Sequence, residues 1–293
     1  MPLENNNKPL VTVVISAYNH AAFVSSCVHS ALRQTYPNIE VLTYDDGSSD
    51  TTADILNALS DQHGFAFTAQ ANRGLSKTLN HALGVAKGKY FCPVGSDDIM
   101  MLDKTEKQVA FMEANPGVAV CGGNSLLIDE KGELCSKRQR FHPARDLTFS
   151  DLFENTTPGF ISPTAMIRTD VLKAAGGYRE DIPLEDLYLW LKLASLGHRI
   201  HAINDVLLYY RKHPNNTYKN VGYMFHSIHN TLSEYQQYPS YNKVLKRHKN
   251  SLLLSAAKQG DKQGARDILQ SLSYRDINLK TLRALTRLYL KIN

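Results

Sequence analysis

The first hundred residues alternate between short apolar runs and stretches with apolar residues at helical spacing. The apolar runs lie at 10–16, 39–44, 65–68 and 90–94, and helical spacing fills the stretches between them. The first run is rich in β-branched residues, which is typical of a strand buried on both faces. Alternation of strand and helix predicts right-handed βαβ units and a mainly parallel α/β sheet flanked by helices.

After residue 115 the elements become shorter and less regular. We predict strands at 118–121, 125–128, 162–168, 200–203 and 206–210, and a hairpin turn at 129–132. Residues 136–160 are polar and favour loops, as a mobile segment or a specificity segment. Helices are predicted at 170–175, from Glu185, and throughout the chain from about Tyr223. We therefore predict a body at 1–220, with halves at about 9–100 and 101–220, and a C-terminal helical extension at 221–293.

Composition indicates a globular protein. Of 293 residues 43% are hydrophobic, and no apolar run approaches the roughly 20 residues that span a bilayer. The first eight residues are polar, so we expect no secretory signal and a cytoplasmic location. The four cysteines lie far apart without the spacing of a zinc site, which indicates reduced thiols.

The net charge of +5 is unevenly distributed. From Ser240 onward the sequence has 12 lysines and arginines against three aspartates, a charge of +9, which leaves −4 on the residues before it. A basic helical extension favours an anionic membrane surface as partner, and hence a peripheral position on the inner face of the cell membrane. A merely solvated helical face is the alternative. Nucleic acid is disfavoured, because no stacking aromatics alternate with the cations.

Candidate chemistry lies where predicted strands end. The loops after the first, second and fourth strands contain Tyr18-Asn19, Asp45-Asp46 and Asp97-Asp98. Ligands of open α/β sheets bind at the carboxyl ends of strands, so we expect these loops to share one site. Adjacent carboxylates favour a divalent cation that also holds a substrate phosphate. The alternative is that Asp97 or Asp98 caps a helix starting near Leu102.

Two nucleotide-binding motifs are absent from the sequence. No strand is followed by Gly-x-Gly-x-x-Gly or by Gly-x-x-x-x-Gly-Lys-Ser/Thr. A dinucleotide fold and a P-loop enzyme are therefore disfavoured.

Several short motifs, taken in order, resemble the family 2 glycosyltransferases, which are inverting sugar transferases of the GT-A fold. The resemblance covers roughly residues 9–215, and its segments are 11–19, 34–40, 45–50, 72–76, 88–90, 96–98, 176–178 and 185–191. It implies transfer of a sugar from a UDP-sugar to a hydroxyl of a glycan acceptor that is lipid-linked, in the synthesis of a cell-surface polysaccharide such as O-antigen or capsule. Two alternatives stay open, namely a non-catalytic nucleotide-sugar-binding protein of this fold and a sugar nucleotidyltransferase.

The resemblance also implies roles for individual residues. On the donor side it implies Ala17, Tyr18, Asn19, Asp46, Gly74, Asp97 and Arg211. Among these, Asp46 would accept the ring N–H of the base. Mn²⁺ or Mg²⁺ would be held by Asp98, Asp97 and His213, although an exposed loop histidine is the alternative for His213. The general base would be Asp186, kept ionised by the helix dipole, and the acceptor side would include Gly177, Tyr178 and Glu185.

Two positions depart from the family pattern. Gly95 stands where many relatives carry an aspartate, so the resemblance does not decide which acid of Asp97-Asp98 ligates the metal. Leu79-Asn80 stands where relatives often have Arg-Asn. The candidates to replace the missing arginine are Lys77, Arg73 and Arg211.

Overall fold

The computed structural model describes residues 8–135, 139–182 and 184–290. The chain divides into two compact units. The first contains the residues up to Glu180 together with Leu189–His213, and the second contains Asp181–Tyr188 together with the chain from Pro214 onward. The predicted boundary at residue 220 stays a prediction.

The first unit is organised around one nine-stranded sheet. Its strands are β1 Val11–Ala17, β2 Ile39–Asp46, β3 Ala66–Gln70, β4 Tyr90–Gly95, β5 Ile99–Met100, β6 Val118–Ile128, β7 Arg145–Leu147, β8 Met166–Arg168 and β9 Arg199–Arg211. The strand order is β3-β2-β1-β4-β8-β6-β9-β5, with β7 paired to β9. The pairs among β3, β2, β1 and β4 are all parallel, and the β6–β9 pair is parallel too. The predicted mainly parallel α/β sheet is confirmed.

Helices pack on both sides of the sheet, and the last of them belongs to the first unit only from Leu189 onward. They are α1 Val24–Leu32, α2 Thr52–His63, α3 Leu75–Val85, α4 Lys104–Ala114, α5 Phe149–Glu154, α6 Thr169–Ala174 and α7 Glu185–Ser195. Alternate side chains of β1 enter two different hydrophobic clusters, with Val13 and Ile15 in one and Val14 in the other. Successive strand residues point to opposite faces, so the unbroken apolar run of β1 reflects burial on both.

Two pairs of predicted strands are in fact single long strands. The predictions at 118–121 and 125–128 are both part of β6, and those at 200–203 and 206–210 are both part of β9. The pairing between them shifts register around Gly122 and Asn124. A Cβ on Gly122 would lie 2.3 Å from the Phe160 ring. Gly122 therefore marks a close approach of an aromatic ring within a continuous strand.

One further prediction is corrected, and one stays a prediction. The strand predicted at 162–168 is a 3₁₀ turn at Ser162–Thr164 followed by the shorter β8. The polar stretch 136–160 contains β7 and α5, while residues 136–138 lie outside the described part of the chain. All four cysteines are free thiols, as predicted.

The second unit is helical, as its sequence pattern indicates. It contains α8 Val221–Ser233, α9 Tyr241–Gln259, α10 Lys262–Gln270 and α11 Leu279–Leu290. Its apolar core includes Val221, Phe225, Leu253, Ile268 and Ala284. Within the described ranges, no helix has both the length and the apolar character that crossing a membrane requires.

Candidate active site

The loops after β1 and β2 are joined by hydrogen bonds. Asn19 has a left-handed backbone with φ of 54°, and its side-chain Oδ1 accepts the N–H of Ser49 at 2.8 Å. The N–H of Asn19 donates to Ser48 Oγ at 2.9 Å. Asparagine adopts this backbone more readily than most residues. Asn19 therefore clamps the Gly47-Ser48-Ser49 turn, and its predicted donor contact stays a prediction.

Asp45 and Asp46 differ in how fully their oxygens are used. Asp46 accepts the N–H groups of Arg73 and Gly74 at 3.0 and 2.9 Å, and Gln70 Nε2 at 2.8 Å. Asp45 accepts the N–H of Ser48 through Oδ2. Its Oδ1 is buried and has no hydrogen-bond partner among the described residues. Buried polar atoms are normally paired, so the free Asp45 Oδ1 can accept a hydrogen bond from a ligand. The Asp46 oxygens already accept hydrogen bonds from the loop before α3.

Side-chain accessibility separates the residues at the end of β1. Ala17 is fully buried, whereas the Tyr18 side chain is 50% exposed. Ala17 is paired in register with Asp45 of β2. Tyr18 therefore follows β1 at the level where β2 carries the unpaired Asp45 oxygen. An exposed aromatic ring and a carboxylate acceptor are groups that can hold a flat, hydrogen-bonding ring such as a nucleobase.

Asp97 and Asp98 converge above Gly95. A Cβ on Gly95 would lie 2.8 Å from Asp97 Oδ1 and 2.9 Å from Asp98 Oδ2. Asp98 is 1% exposed, and its Oδ2 has no hydrogen-bond partner among the described residues. Burial and then the neighbouring Asp97 raise the pKa of Asp98 well above its ordinary value. The helix-cap alternative is wrong, because α4 begins at Lys104 with Asp103 as its N-cap.

Two histidines lie beside these carboxylates. His213 Nε2 is 2.9 Å from Asp97 Oδ2, and His213 is 4% exposed. The exposed-loop alternative for this histidine is therefore wrong. His20 Nδ1 is 2.7 Å from Ser96 Oγ, and one ligand atom from each of His20, Asp97 and His213 lies within 4.8 Å of the others.

Sequence reasoning missed His20. Burial lowers its pKa, while the Asp97 charge acts in the opposite direction. A neutral imidazole is the form that ligates metals. Its position directly after Tyr18-Asn19 was the available signal, but 76 residues separate His20 from Ser96, and only the strand order brings them together.

Arg211 holds the Asp97-Asp98 turn in place. Its Nε donates to the carbonyl oxygen of Asp97 at 2.7 Å, and its backbone N–H donates to Asp98 Oδ1 at 2.9 Å. Its Nη1 donates to the carbonyl oxygens of Asp129 and Glu130. The predicted donor contact of Arg211 stays a prediction, and the structure gives the guanidinium a positioning function.

The Leu79-Asn80 departure has a structural role. Leu79 is buried, and Asn80 Nδ2 donates to the Tyr178 carbonyl oxygen at 2.8 Å while its Oδ1 accepts the Tyr178 N–H at 2.8 Å. A Cβ on Gly177 would lie 2.6 Å from Asn80 Oδ1. Asn80 thus fixes the Gly177-Tyr178 turn. Of the proposed replacements for the arginine, Arg73 instead contacts Gln70 and His81.

In the second unit, Glu185 and Asp186 start α7 as a half-buried pair of adjacent acids. Burial and then the Asp186 charge raise the pKa of Glu185 to about 8. Burial also raises the pKa of Asp186, and the Leu187 N–H, donating to Asp186 Oδ1 at 2.6 Å, opposes this. Burial, followed by the charges of both acids, raises the pKa of Tyr223 to about 12.

The direction of the Asp186 shift differs from the sequence-based expectation. The helix dipole was expected to keep this carboxylate readily ionised, but loss of hydration outweighs it. A carboxylate with a raised pKa is a stronger base once ionised, which is what proton abstraction from a hydroxyl needs.

Comparison with known sequences gives these residues a context. Residues 12–176 match the model of the family described as glycosyl transferase family 2. TuaG of Bacillus subtilis, a putative teichuronic acid biosynthesis glycosyltransferase, is 30% identical over 223 residues, which cover 73% of this chain and 84% of TuaG. WfaP of Escherichia coli, a UDP-Glc:alpha-D-GlcNAc-diphosphoundecaprenol beta-1,3-glucosyltransferase, is 29% identical over 221 residues, or 72% of this chain and 80% of WfaP.

Solved structures show the same fold. S. aureus TarS 1-349 with UDP-GlcNAc matches with a TM-score of 0.64 at 18% identity, covering 95% of this chain and 80% of that one. The mannosyltransferase PcManGT of Pyrobaculum calidifontis, in complex with GDP-Man and Mn²⁺, matches with a TM-score of 0.59 at 20% identity, covering 98% and 89%. This chain spans 50% of a longer TarS structure. At these identities the likeness shows the GT-A fold.

Proposed function

Since the chain belongs to glycosyl transferase family 2, as a glycosyltransferase of the polysaccharide-biosynthesis type, we propose that it moves a sugar from a UDP-sugar to a hydroxyl of a glycan acceptor. UDP is supported by the names of WfaP, which uses UDP-Glc, and of the TarS complex with UDP-GlcNAc. A lipid-linked acceptor is supported by the diphosphoundecaprenol in the name of WfaP. We also propose inversion at the transferred carbon, as the resemblance implies.

The nucleobase is proposed to lie between Tyr18 and the end of β2. The exposed Tyr18 ring offers a stacking surface. Because Asp46 already accepts three donors from the chain and Asp45 Oδ1 accepts none among the described residues, the carboxylate that accepts the ring N–H is assigned to Asp45. A carboxylate acceptor suits uracil, whose ring N–H is a donor.

A divalent cation is proposed at the Asp97-Asp98 turn. The residues fit it, because a buried, unpaired Asp98 Oδ2 and Asp97 Oδ1 converge over Gly95, and His213 lies beside Asp97. When bound, the cation would neutralise charge that develops on the departing diphosphate. Imidazole ligands suit Mn²⁺ better than Mg²⁺, which prefers oxygen. The nearness of His213 and His20 therefore supports Mn²⁺.

Asp186 is proposed as the general base that takes the proton of the acceptor hydroxyl. Its raised pKa supports this role. Burial and the neighbouring Asp186 charge raise the pKa of Glu185, which disfavours ionisation of both acids together. Near neutral pH the pair can therefore hold one negative charge, which is placed on Asp186.

The observation that carries the proposal is the convergence of two carboxylates on the space over Gly95. Calorimetric titration of UDP, with Mn²⁺ and with EDTA, tests it on the wild type, on Asp98→Asn and on the exposed control Asp54→Asn. We expect binding that needs Mn²⁺, weakens at least about tenfold in Asp98→Asn, and is unchanged in Asp54→Asn. Equal UDP affinity with Mn²⁺ and with EDTA would overturn the metal site.

Two alternatives remained open at the level of sequence. Membership of glycosyl transferase family 2 argues against the sugar nucleotidyltransferase alternative. For the non-catalytic binding protein, the test is transfer itself. UDP binding without release of UDP from any UDP-sugar, with lipid-linked glycan acceptors supplied, would favour binding alone.

A further inference from the structure

The outward side of the last helix of the second unit carries apolar and basic residues in separate rows. Tyr274, Ile277, Leu279, Leu282 and Tyr289 are each between 50% and 77% exposed. Leu279, Leu282 and Tyr289 are spaced three and seven residues apart, so they share one side of α11. We call these three side chains the apolar row.

The basic residues of α11 form a second row beside the first. Lys280, Arg283 and Arg287 are spaced three and four residues apart and are all exposed, so they also share one side of the helix. Asp276 is the only acidic residue between 271 and 290, and its carboxylate is turned to the N–H and hydroxyl of Ser273. Within residues 271–290, no other acidic side chain is present to neutralise the charge of the basic row.

The inward side of α11 is buried against the rest of the second unit. Thr281 and Ala284 are buried. The Thr281 hydroxyl donates to Asn250 Oδ1, and Asn250 Nδ2 donates to the carbonyl oxygen of Asp276 at 3.0 Å. Because the helix is anchored on this side, its two exposed rows face outward as a fixed surface.

The structure also shows which cations of the basic extension serve the fold. Lys246 donates to the Arg275 carbonyl oxygen, and Lys249 donates to the Ser271 carbonyl oxygen at 2.7 Å. These lysines of α9 support the segment before α11. In the basic row, Lys280 Nζ also donates to Ser251 Oγ of α9 at 2.7 Å. Arg283 and Arg287 have no hydrogen-bond or ion-pair partner among the residues that the structure describes.

We propose that α11 docks in the plane of an anionic lipid bilayer, with the apolar row inserted among the acyl chains and the basic row on the lipid headgroups. A helix with apolar residues on one side, Lys and Arg beside them, and no spanning length binds in this way. The tyrosines at 274 and 289 suit the boundary, where aromatic rings with a polar end are favoured. Lack of acidic residues selects a negatively charged surface over a neutral one.

This proposal goes beyond the proposed activity and does not depend on it. It also narrows the sequence-based expectation from the whole basic extension to one helix. Removing residues from 240 onward would delete much of the core of the second unit, since Leu253 and Ile268 pack with Val221 and Phe225. Single-site variants of the full chain are the better probe.

The first test is flotation of the full chain with phosphatidylcholine vesicles, with and without phosphatidylglycerol. We expect binding only when phosphatidylglycerol is present. Arg283→Gln with Arg287→Gln should lower the partition coefficient roughly 30-fold, at about fivefold per cation. The matched pair Lys262→Gln with Arg266→Gln, which are exposed on α10, should change it much less. Equal loss in both pairs, or no binding by the wild type, would overturn the proposal.

The second test asks whether the apolar row enters the bilayer. The chain has one tryptophan, and Trp190 is 6% exposed, so an added surface tryptophan reports on its own site. Leu282→Trp should show a blue shift and quenching by brominated lipid, whereas Leu196→Trp, at an exposed site of the first unit, should show neither. If the wild type is a dimer, and Leu282→Ser makes it monomeric without changing vesicle binding, the apolar row serves contact between copies. That result would overturn the proposal. UDP titration of each variant shows that the donor site is intact.

Discussion

Two pairs of adjacent acids, one in each unit, look alike in sequence and differ in surroundings. Around Asp97-Asp98 the chain supplies the Arg211 N–H and guanidinium and the ring of His213. Around Glu185-Asp186 it supplies a backbone N–H and the Tyr223 ring, whose pKa both acids raise. Within the described part of the second unit, no Lys or Arg pairs with either acid.

The difference shows what decides the chemistry of an acid pair. Arg211 holds the backbone carbonyl of Asp97 and one carboxylate oxygen of Asp98. The other Asp98 oxygen has no partner among the described residues, which suits a cation. Loss of hydration around the second pair makes sharing a proton more favourable than carrying two charges. This difference supports the proposal that the first pair binds the metal and the second pair transfers the proton.

The sharpest test of this assignment is Asp186→Asn. An amide cannot take the acceptor proton, so we expect sugar transfer to fall about 10²- to 10⁴-fold. The affinity for UDP with Mn²⁺ should remain within about twofold, because no donor role is assigned to Asp186. Transfer assays and calorimetry on the same preparation measure both. A large loss of UDP affinity would show that the two pairs do not divide the work as proposed.

A smaller effect is expected where Asp97 and Asp98 meet. In Gly95→Ala the added methyl would lie within 2.9 Å of a carboxylate oxygen of each acid, so both must move. We expect Mn²⁺-dependent UDP binding to weaken about tenfold. Gly84→Ala on α3, where a Cβ meets nothing within 4 Å, is the control. Unchanged metal-dependent binding in Gly95→Ala would argue that the cation is held elsewhere.

The smallest expected effect concerns pH and the second pair. A glutamate pKa raised from 4.5 to about 8 means that the folded state holds a proton the unfolded state has lost. Stability is then fully present below pH 4.5 and falls as pH rises toward 8. We expect denaturant titrations to show this fall reduced by more than about 1 kcal/mol in Glu185→Gln. The exposed control Glu133→Gln should leave the pH dependence as it is.

Much of the first half of the fold follows from local pattern. The four early strands and their helices are predictable because β1, β2 and β4 are buried and apolar, and the loops carrying Asp45-Asp46 and Asp97-Asp98 follow from strand direction. Register shifts are not visible in this way. Gly122 and Gly123 resemble a break, and only the Phe160 ring above Gly122 explains why β6 continues through them.

The sequence predicts which residues belong to the site better than it predicts what each of them does. Motif matching selects Arg211, but only the structure shows its guanidinium on three backbone carbonyl oxygens. Motif matching also selects Asp46 over Asp45 as the acceptor of the ring N–H of the base. That choice depends on which carboxylate oxygens already accept hydrogen bonds from the loop before α3. The direction of the Asp186 pKa shift could not be predicted from sequence. A position at the start of a helix can be inferred from sequence, whereas the burial that raises the pKa cannot.

The hydrogen bonds between the loops after β1 and β2 have a kinetic consequence. The amides of Asn19 and Ala21 donate to side chains of the loop after β2, and that of His20 donates to Thr52 at the start of α2. The Ser49 amide donates back to the Asn19 side chain. Each of these four hydrogen bonds joins residues 19–21 to residues 48–52, so separating the two segments releases all four amide protons. They should therefore exchange with deuterium together, as one cooperative opening of both loops. A ligand held by either loop would slow exchange in both.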